Sequence, residues 1–197
     1  MAHESSRSQT EIEPGNPWGA FLREIDERLT EAIQLQCLGG FVVTQYYGHG
    51  RQTSDIDCIA VIGSKPIDFA GLGSELHKKY RLYLQYVTMA TTPCDYASRL
   101  RRMFPQAPWK HLKLFALDAT DLALSKLERN FDRDREDFQF LFRAGVIDLT
   151  TLETRYYEEL RPYLLGNLEW HDKTLNLWLG MAKQIQGSVA LDPASYE

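Results

Sequence analysis

Apolar residues in the first part of the chain follow a helical spacing and then give way to runs typical of strands. From Pro17 onward they recur every three or four residues, as on one face of a helix. The positions in this predicted helix are Trp18, Phe21, Leu22, Ile25, Leu29, Ala32 and Ile33. A short apolar stretch at residues 35–38 leads into Gly39-Gly40. Residues 41–47 are β-branched and aromatic, so propensity alone predicts a strand there.

The rest of the chain places strands before helices. Residues 55–62, 80–90 and 111–117 have the composition of strands, and a short helix is predicted over 95–103. Further helices are predicted over 119–129, 133–144, 149–161 and 172–187, the first two capped by Asp118 and Asp132. This order predicts an α+β fold, with a mixed sheet flanked by helices and followed by a C-terminal helical lobe.

Composition divides the chain into three parts. Residues 1–16 are polar, contain Gly and Pro and lack periodicity, which predicts a disordered leader. We expect a lobe that contains the sheet over residues 17–118 and a helical lobe over residues 119–197.

Charge and cysteine content narrow the function classes. The chain of 197 residues has a formal net charge of −5, which argues against a protein that coats nucleic acid. Residues 78–113 nevertheless form a basic stretch, either a solvated surface or a nucleic-acid contact. If the partner is RNA, the expected phosphate contacts are Arg99, Arg101, Arg102 and Lys110. The three separated cysteines predict neither disulfides nor a zinc site. Without a signal sequence or an apolar run of membrane-spanning length, we expect a cytoplasmic protein with no membrane partner.

The pair Asp55 and Asp57 is the strongest chemical signal. Residues two apart in a strand point to the same face, so both carboxylates project together while Ile56 faces the other side. Such a pair suits Mg²⁺, which prefers carboxylate, phosphate and water oxygens. Gly39-Gly40, separated from Asp55 by fourteen residues, would let the backbone approach a phosphate. The alternative is an ordinary turn followed by a strand with two exposed acids.

Two segments resemble a known family. Residues 38–62 (LGGFVVTQYYGHGRQTSDIDCIAVI) are similar to the Gly-Gly to Asp-x-Asp signature of the DNA polymerase β-like nucleotidyltransferase superfamily. Residues 121–137 (DLALSKLERNFDRDRED) resemble the corresponding region of the abortive-infection, type IV toxin-like nucleotidyltransferases. The resemblance implies that residues 17–118 are the catalytic lobe and that residues 41–47 are helical despite their β propensity. It also implies that Asp55 and Asp57 hold the metal and that Gly39 and Gly40 cradle phosphate.

The second segment supplies Lys126 and Asp137. By the same resemblance, Lys126 binds triphosphate, and Asp137 orients either the lysine or the attacking hydroxyl. The alternative is an interhelical ion-pair cluster, composed of Lys126, Arg129, Arg133, Asp134 and Asp137. Arg51 and Ser54 immediately precede the acidic pair and are further candidates for phosphate contact.

One feature departs from the superfamily, whose members often carry a third carboxylate on a neighbouring strand. Neither 80–90 nor 111–117 contains an acid, although Asp118 could substitute. The resemblance then implies either a single metal or a loss of catalysis.

The expected function is Mg²⁺-dependent transfer of a nucleotide from an NTP to an acceptor hydroxyl. The acceptor could be tRNA or another RNA, and the toxin-like resemblance implies an antitoxin protein as a partner. Two alternatives remain: a non-catalytic nucleotide-binding or partner-binding module that keeps the fold, and an antibiotic-type nucleotidyltransferase that acts on small molecules.

Overall fold

Five strands form one mixed sheet in the first part of the chain. The computed structural model describes residues 16–63, 67–88 and 90–190. Their contacts define two units. The first comprises the described residues up to 90 together with 97–118, and the second comprises 91–96 and 119–190. The predicted disordered leader, residues 1–16, lies outside the described residues except for Asn16, whose side chain accepts a hydrogen bond from the Trp18 N–H and caps the first helix.

The first unit contains four helices and five strands among its described residues. The helices are α1 Pro17–Arg28, α2 Gly39–Gln45, α3 Ile67–Ala70 and α4 Glu75–Tyr80. The strands are β1 Ile33–Leu38, β2 Asp55–Ile62, β3 Tyr83–Tyr86, β4 Arg101–Met103 and β5 Leu112–Ala116. Their order in the sheet is β3-β2-β1-β5-β4, with β1–β2 and β4–β5 antiparallel and β1–β5 and β2–β3 parallel.

The two faces of this sheet differ in character. One face carries buried side chains, among them Leu35, Cys37, Ile56 and Leu114, which form the core of the unit. The alternating positions on the other face are exposed or half-buried, and we call it the polar face. Its members include Gln34, Gln36, Asp55, Asp57, Tyr83, Gln85, Arg102, Lys113 and Phe115.

Two predictions at the start of the chain need correction. The helical spacing continues to Ile33, but α1 ends at Arg28, and Leu29 is extended. Ile33 instead opens β1, where its N–H donates to the His111 carbonyl at 2.8 Å. Pairing with β2 and β5 outweighs the local pattern, because it satisfies the backbone of a strand with neighbours on both sides.

The strand that propensity predicts over residues 41–47 is also wrong, and the helix implied by the resemblance is confirmed. The chain turns sharply out of β1 at Gly39, whose φ is +71°, and residues 39–45 form α2. Phe41, Val42 and Val43 are buried, and the Phe41 ring packs against Trp18 with centroids 4.8 Å apart. Burial of these side chains decides the conformation, as tertiary context often does.

Two further segments of the first unit differ from prediction. The strand predicted over 80–90 is only β3, because α4 occupies the chain up to Tyr80 and ends at Arg81 with a φ of +60°. The helix predicted over 95–103 is a 3₁₀ turn at Tyr96–Arg99 followed by β4.

The second unit is helical, as predicted. Its α-helices are α5 Ala119–Leu124, α6 Asp132–Arg143, α7 Leu149–Arg155 and α8 Leu168–Ala190. The helix predicted to reach residue 129 stops at Leu124, and Asp132 lies inside α6 rather than capping it. The helix predicted to reach residue 161 continues past α7 as a π turn at Tyr156–Leu160 and a 3₁₀ turn at Arg161–Tyr163, and α8 is longer than predicted at both ends. None of the described helices is both long and apolar enough to cross a membrane.

Candidate active site

Asp55 and Asp57 open β2 and lie on the polar face of the sheet. Both are half-buried, while Ile56 between them is fully buried on the other face. The Thr53 hydroxyl donates to Oδ1 of Asp55 at 2.7 Å and orients that carboxylate. The strand alternation thus places two carboxylates side by side where water and ligands can reach them.

Gly39 packs directly against Asp57. A Cβ atom added at Gly39 would overlap Oδ2 of Asp57 and would lie 3.2 Å from its Cγ. The φ of +71° also favours glycine, since other residues rarely adopt it. Glycine is therefore required twice: for the turn out of β1 and for the close approach of the backbone to the carboxylate.

Gly40 also packs closely against two polar side chains. A Cβ atom there would come within 2.9 Å of Nη2 of Arg51 and of the Thr53 hydroxyl. The predicted residues Gly39, Gly40, Arg51, Asp55 and Asp57 accordingly lie together, in contact through the two glycines. Thr53 belongs to this cluster and was missed by the sequence analysis, although its position two residues before Asp55 could have indicated it.

Ser54 takes part in sheet pairing through its backbone. Its carbonyl accepts a hydrogen bond from the Tyr83 N–H at 3.1 Å, which pairs the start of β2 with β3. Its side chain is exposed. The backbone bond of Ser54 thus belongs to the sheet, and the phosphate contact of its side chain stays a prediction.

Tyr83 and Gln85 on β3 face the acidic pair. The parallel register places Tyr83 opposite Asp55 and Gln85 opposite Asp57, so all four lie on the polar face. Burial raises the pKa of Tyr83, and the charges of Asp55 and Asp57 raise it further. The two carboxylates thus create a negative field that this phenol experiences. No sequence signal identifies these two residues, because only the strand register brings them to the site.

The donor set fits a hard divalent cation. The described residues contain no group of three or more His, Cys, Asp or Glu arranged to hold a metal. Two carboxylates with open access match Mg²⁺, which usually keeps several waters and takes substrate phosphates as further ligands. On β3, the position facing Asp57 is occupied by the neutral Gln85. Asp118, the predicted substitute for a third carboxylate, follows β5, and β5 lies two strands away from β2.

Lys126 and Asp137 lie in the second unit, within a buried ion-pair network. Nζ of Lys126 lies 2.7 Å from Oδ2 of Asp137 and 3.4 Å from Oδ1 of Asp134. The lysine side chain is 5% exposed, and both carboxylates are fully buried. Arg129 donates to both oxygens of Asp134, at 2.8 and 2.5 Å. Of the five residues in the predicted ion-pair cluster, these four are joined by hydrogen bonds, whereas Arg133 is exposed.

Asp134 also fixes the start of α6. Its carboxylate accepts a hydrogen bond from the Phe131 N–H at 3.0 Å, which satisfies a donor at the helix N-terminus. Burial alone would raise the pKa of Asp134, but the hydrogen bonds from Arg129 and the charge of Lys126 outweigh it and lower the pKa. Asp134 thus accepts hydrogen bonds from both Lys126 and Arg129, and Asp137 is the second partner of Lys126.

Comparison with protein families identifies the chain. Residues 21–179 match the model of the family described as "Nucleotidyltransferase of unknown function (DUF6036)". The chain belongs to this nucleotidyltransferase family. No curated protein and no solved structure shows significant similarity to it. The match spans both units, so it covers the acidic pair of β2 as well as Lys126 and Asp137.

Proposed function

We propose that this member of the nucleotidyltransferase family transfers a nucleotide from an NTP to an acceptor hydroxyl, with Mg²⁺ held by Asp55 and Asp57. The observation that carries the proposal is the contact between Gly39 and the Asp57 carboxylate. It brings a stretch of backbone that lacks side chains next to two carboxylates on one face. This is the combination that a metal-bound phosphate requires, because the phosphate needs both close approach and charge neutralisation.

The residues of the first unit have separate proposed roles in nucleotide binding. Gly39 and Gly40 admit the phosphates to the backbone, and the Arg51 guanidinium beside Gly40 supplies positive charge. Thr53 keeps the Asp55 carboxylate in a fixed orientation. When bound, Mg²⁺ would neutralise phosphate charge and polarise the phosphorus–oxygen bonds.

Lys126 and Asp137 have proposed roles in the same reaction. We assign to Lys126 the neutralisation of triphosphate charge, and to Asp137 the orientation of that lysine or of the attacking hydroxyl. The 2.7 Å ion pair supports the orienting role, because it holds the ammonium group in one position. In the transfer, the acceptor oxygen bonds to the α-phosphorus, the bond from that phosphorus to the β-phosphate oxygen breaks, and pyrophosphate leaves. The hydroxyl proton passes to a carboxylate or to water.

Two further features bear on the biological role and on the alternative function of the protein. The resemblance of residues 121–137 to abortive-infection toxins supports a toxin role with an antitoxin partner. The neutral Gln85 opposite Asp57 favours the rival, a module that binds nucleotide without turnover, since one carboxylate fewer weakens the metal site.

Calorimetric titration with a non-hydrolysable NTP analogue, with and without Mg²⁺, tests the proposal. We expect Mg²⁺ to strengthen nucleotide binding in the wild type and to have little effect in Asp57→Asn, which removes a charge but keeps the shape of the side chain. Asp68→Asn is the matched control, because Asp68 is an exposed acid on α3 of the same unit. Equal Mg²⁺ dependence in Asp57→Asn and the wild type would refute the metal site. Transfer of label from α-³²P-NTP to an acceptor then separates the enzyme from the binding module.

A further inference from the structure

The polar face of the sheet has a basic side opposite its acidic side. Asp55 and Asp57 lie on β2, whereas Arg102 lies on the edge strand β4 and Lys113 on β5. Arg102 pairs with Phe115 across β4–β5, so its side chain emerges on the same face as the two acids. Lys113 is exposed on that face, two residues or about 7 Å along β5 from Phe115.

The guanidinium of Arg102 packs over an aromatic ring. It lies over the Phe115 ring, with Cζ 5.4 Å from the ring centroid. Its Nη1 is hidden from solvent and has no hydrogen-bond partner in the part of the chain that the structure describes. Burial lowers the pKa of Arg102, so the charge is kept at a cost. A buried donor of this kind normally finds a partner, and an anionic ligand oxygen is the partner that a guanidinium prefers.

The position of Arg102 separates it from the metal site. Strands β1 and β5 lie between β2 and β4, so the backbone of Arg102 is about 14 Å across the sheet from that of the acidic pair. A phosphate bound by Arg102 is therefore not the phosphate held at Asp55 and Asp57. In the transfer proposed above, the other reactant is the acceptor.

We propose that Arg102, stacked on Phe115, binds a phosphate group of the acceptor. The nucleotidyl transfer proposed above then has a phosphate-bearing acceptor. The phosphate comes from an RNA strand or from a small phosphorylated molecule, and RNA is favoured because Lys113 continues the positive charge along β5. Among the basic residues of the 78–113 stretch, Arg102 is singled out by its place on the polar face and by its unsatisfied donor.

Three probes and a pair of matched variants test this site. The probes are a fluorescein-labelled single-stranded RNA oligonucleotide, AMP, and Mg²⁺ with α,β-methylene-ATP. The test variant is Arg102→Met, which keeps an apolar stem over Phe115. The control is Arg101→Met, because Arg101 is exposed on the same strand but pairs with Ala116 and so lies on the opposite face. Arg102→Lys is a second variant that keeps the charge and loses the planar fork.

We expect Arg102→Met to bind the RNA about tenfold more weakly than the wild type, as for the loss of one charge-assisted hydrogen bond. The slope of log K against log salt is negative and should become less steep by about 0.7, the value for one phosphate contact on a single strand. Arg102→Lys should lose part of the affinity, and Arg101→Met should bind as the wild type does. Each variant should bind the Mg²⁺–nucleotide analogue normally.

If the wild type binds AMP but no RNA, and Arg102→Met loses AMP binding, the result would support the phosphate site and assign it to a small acceptor. Three results would overturn the inference: wild-type protein that binds neither RNA nor AMP, equal losses in Arg102→Met and Arg101→Met, or loss of Mg²⁺–nucleotide binding in Arg102→Met. Failure of the proposed function itself is distinguishable, because the wild type would then not bind the Mg²⁺–nucleotide analogue at all.

Discussion

Replacement of Gly39 by alanine is the sharpest perturbation that the site offers. The added Cβ would meet two penalties. The φ of +71° costs a residue with a side chain about 1–2 kcal/mol. The overlap with the Asp57 carboxylate adds about 1–3 kcal/mol, the usual range for overpacking, because the carboxylate must move or the strands must part. We therefore expect Gly39→Ala to lower the free energy of unfolding by about 2–5 kcal/mol.

Gly48→Ala separates the two penalties. Gly48 has a similar φ of +81°, but an added Cβ there would have no atom within 4 Å. This variant should lose only the conformational part, about 1–2 kcal/mol, and should bind Mg²⁺ and nucleotide normally. Gly39→Ala should in addition lose Mg²⁺-dependent nucleotide binding, since the displaced carboxylate is the proposed metal ligand.

Urea unfolding and calorimetric titration measure the two effects on the same samples. Titrations belong well below the melting temperature, which should fall by about 2–4 °C per kcal/mol for a chain of this size. The reasoning would be refuted if Gly39→Ala were no less stable than Gly48→Ala and bound the Mg²⁺–nucleotide analogue with wild-type affinity.

Three further predictions concern buried or paired charges. Lys126→Met should lower stability by about 3 kcal/mol, because it removes the cation that lies 2.7 Å from the buried Asp137 carboxylate. If the proposed role is correct, it should also weaken NTP binding, measured below the melting temperature. Asp26→Ala should cost about 3 kcal/mol in urea unfolding, because three backbone N–H groups at the start of β5 lose their shared acceptor. Hydrogen bonds from Arg161 and Tyr156 lower the pKa of Asp172 from 3.8 to about 2, so the stability that Asp172 contributes is present above pH 3.8 and should be lost as the pH falls towards 2.

Matched variants give each of these predictions a control. Lys173→Met removes an exposed ion pair with Glu169 and should change stability little. Glu27→Ala removes an exposed acid next to Asp26 and should also be nearly neutral. Arg161→Gln removes the main cause of the low pKa of Asp172, so its unfolding free energy should depend less on pH over the same range. Wild-type NTP affinity in Lys126→Met would assign the lysine to stability alone.

Because Lys126 is buried, the melting temperature of Lys126→Met cannot distinguish a site role from a structural role. The sequence places Lys126 near the apolar face of a helix, and from that alone a site role predicts only a small loss of melting temperature. The structure leaves 5% of the side chain exposed and both partner carboxylates fully buried, so a stability loss is expected in either case. Nucleotide affinity, rather than melting, therefore distinguishes the two roles.

Local spacing was sufficient for the features that depend on near neighbours in the chain. Alternation along β2 already places Asp55 and Asp57 on one face, because residues two apart in any strand share a face. The four C-terminal helices were predicted from local capping and stop signals and, for the last one, from its apolar spacing, although their ends shift by several residues. The α+β fold with a mixed sheet was predicted from the order of these elements and is confirmed.

The features that depend on distant partners could only come from the tertiary structure. Residue 33 belongs to β1 and residues 41–45 to a helix, because burial and strand pairing outweigh local propensity. The strand register alone brings Tyr83 and Gln85 to the acidic pair, and Phe115 beneath Arg102. The contact of Gly39 with Asp57 joins residues eighteen apart in the chain and is visible only once β1 and β2 are paired. Periodicity specifies which face a residue occupies, whereas the side chains it meets on that face are determined by long-range pairing and burial.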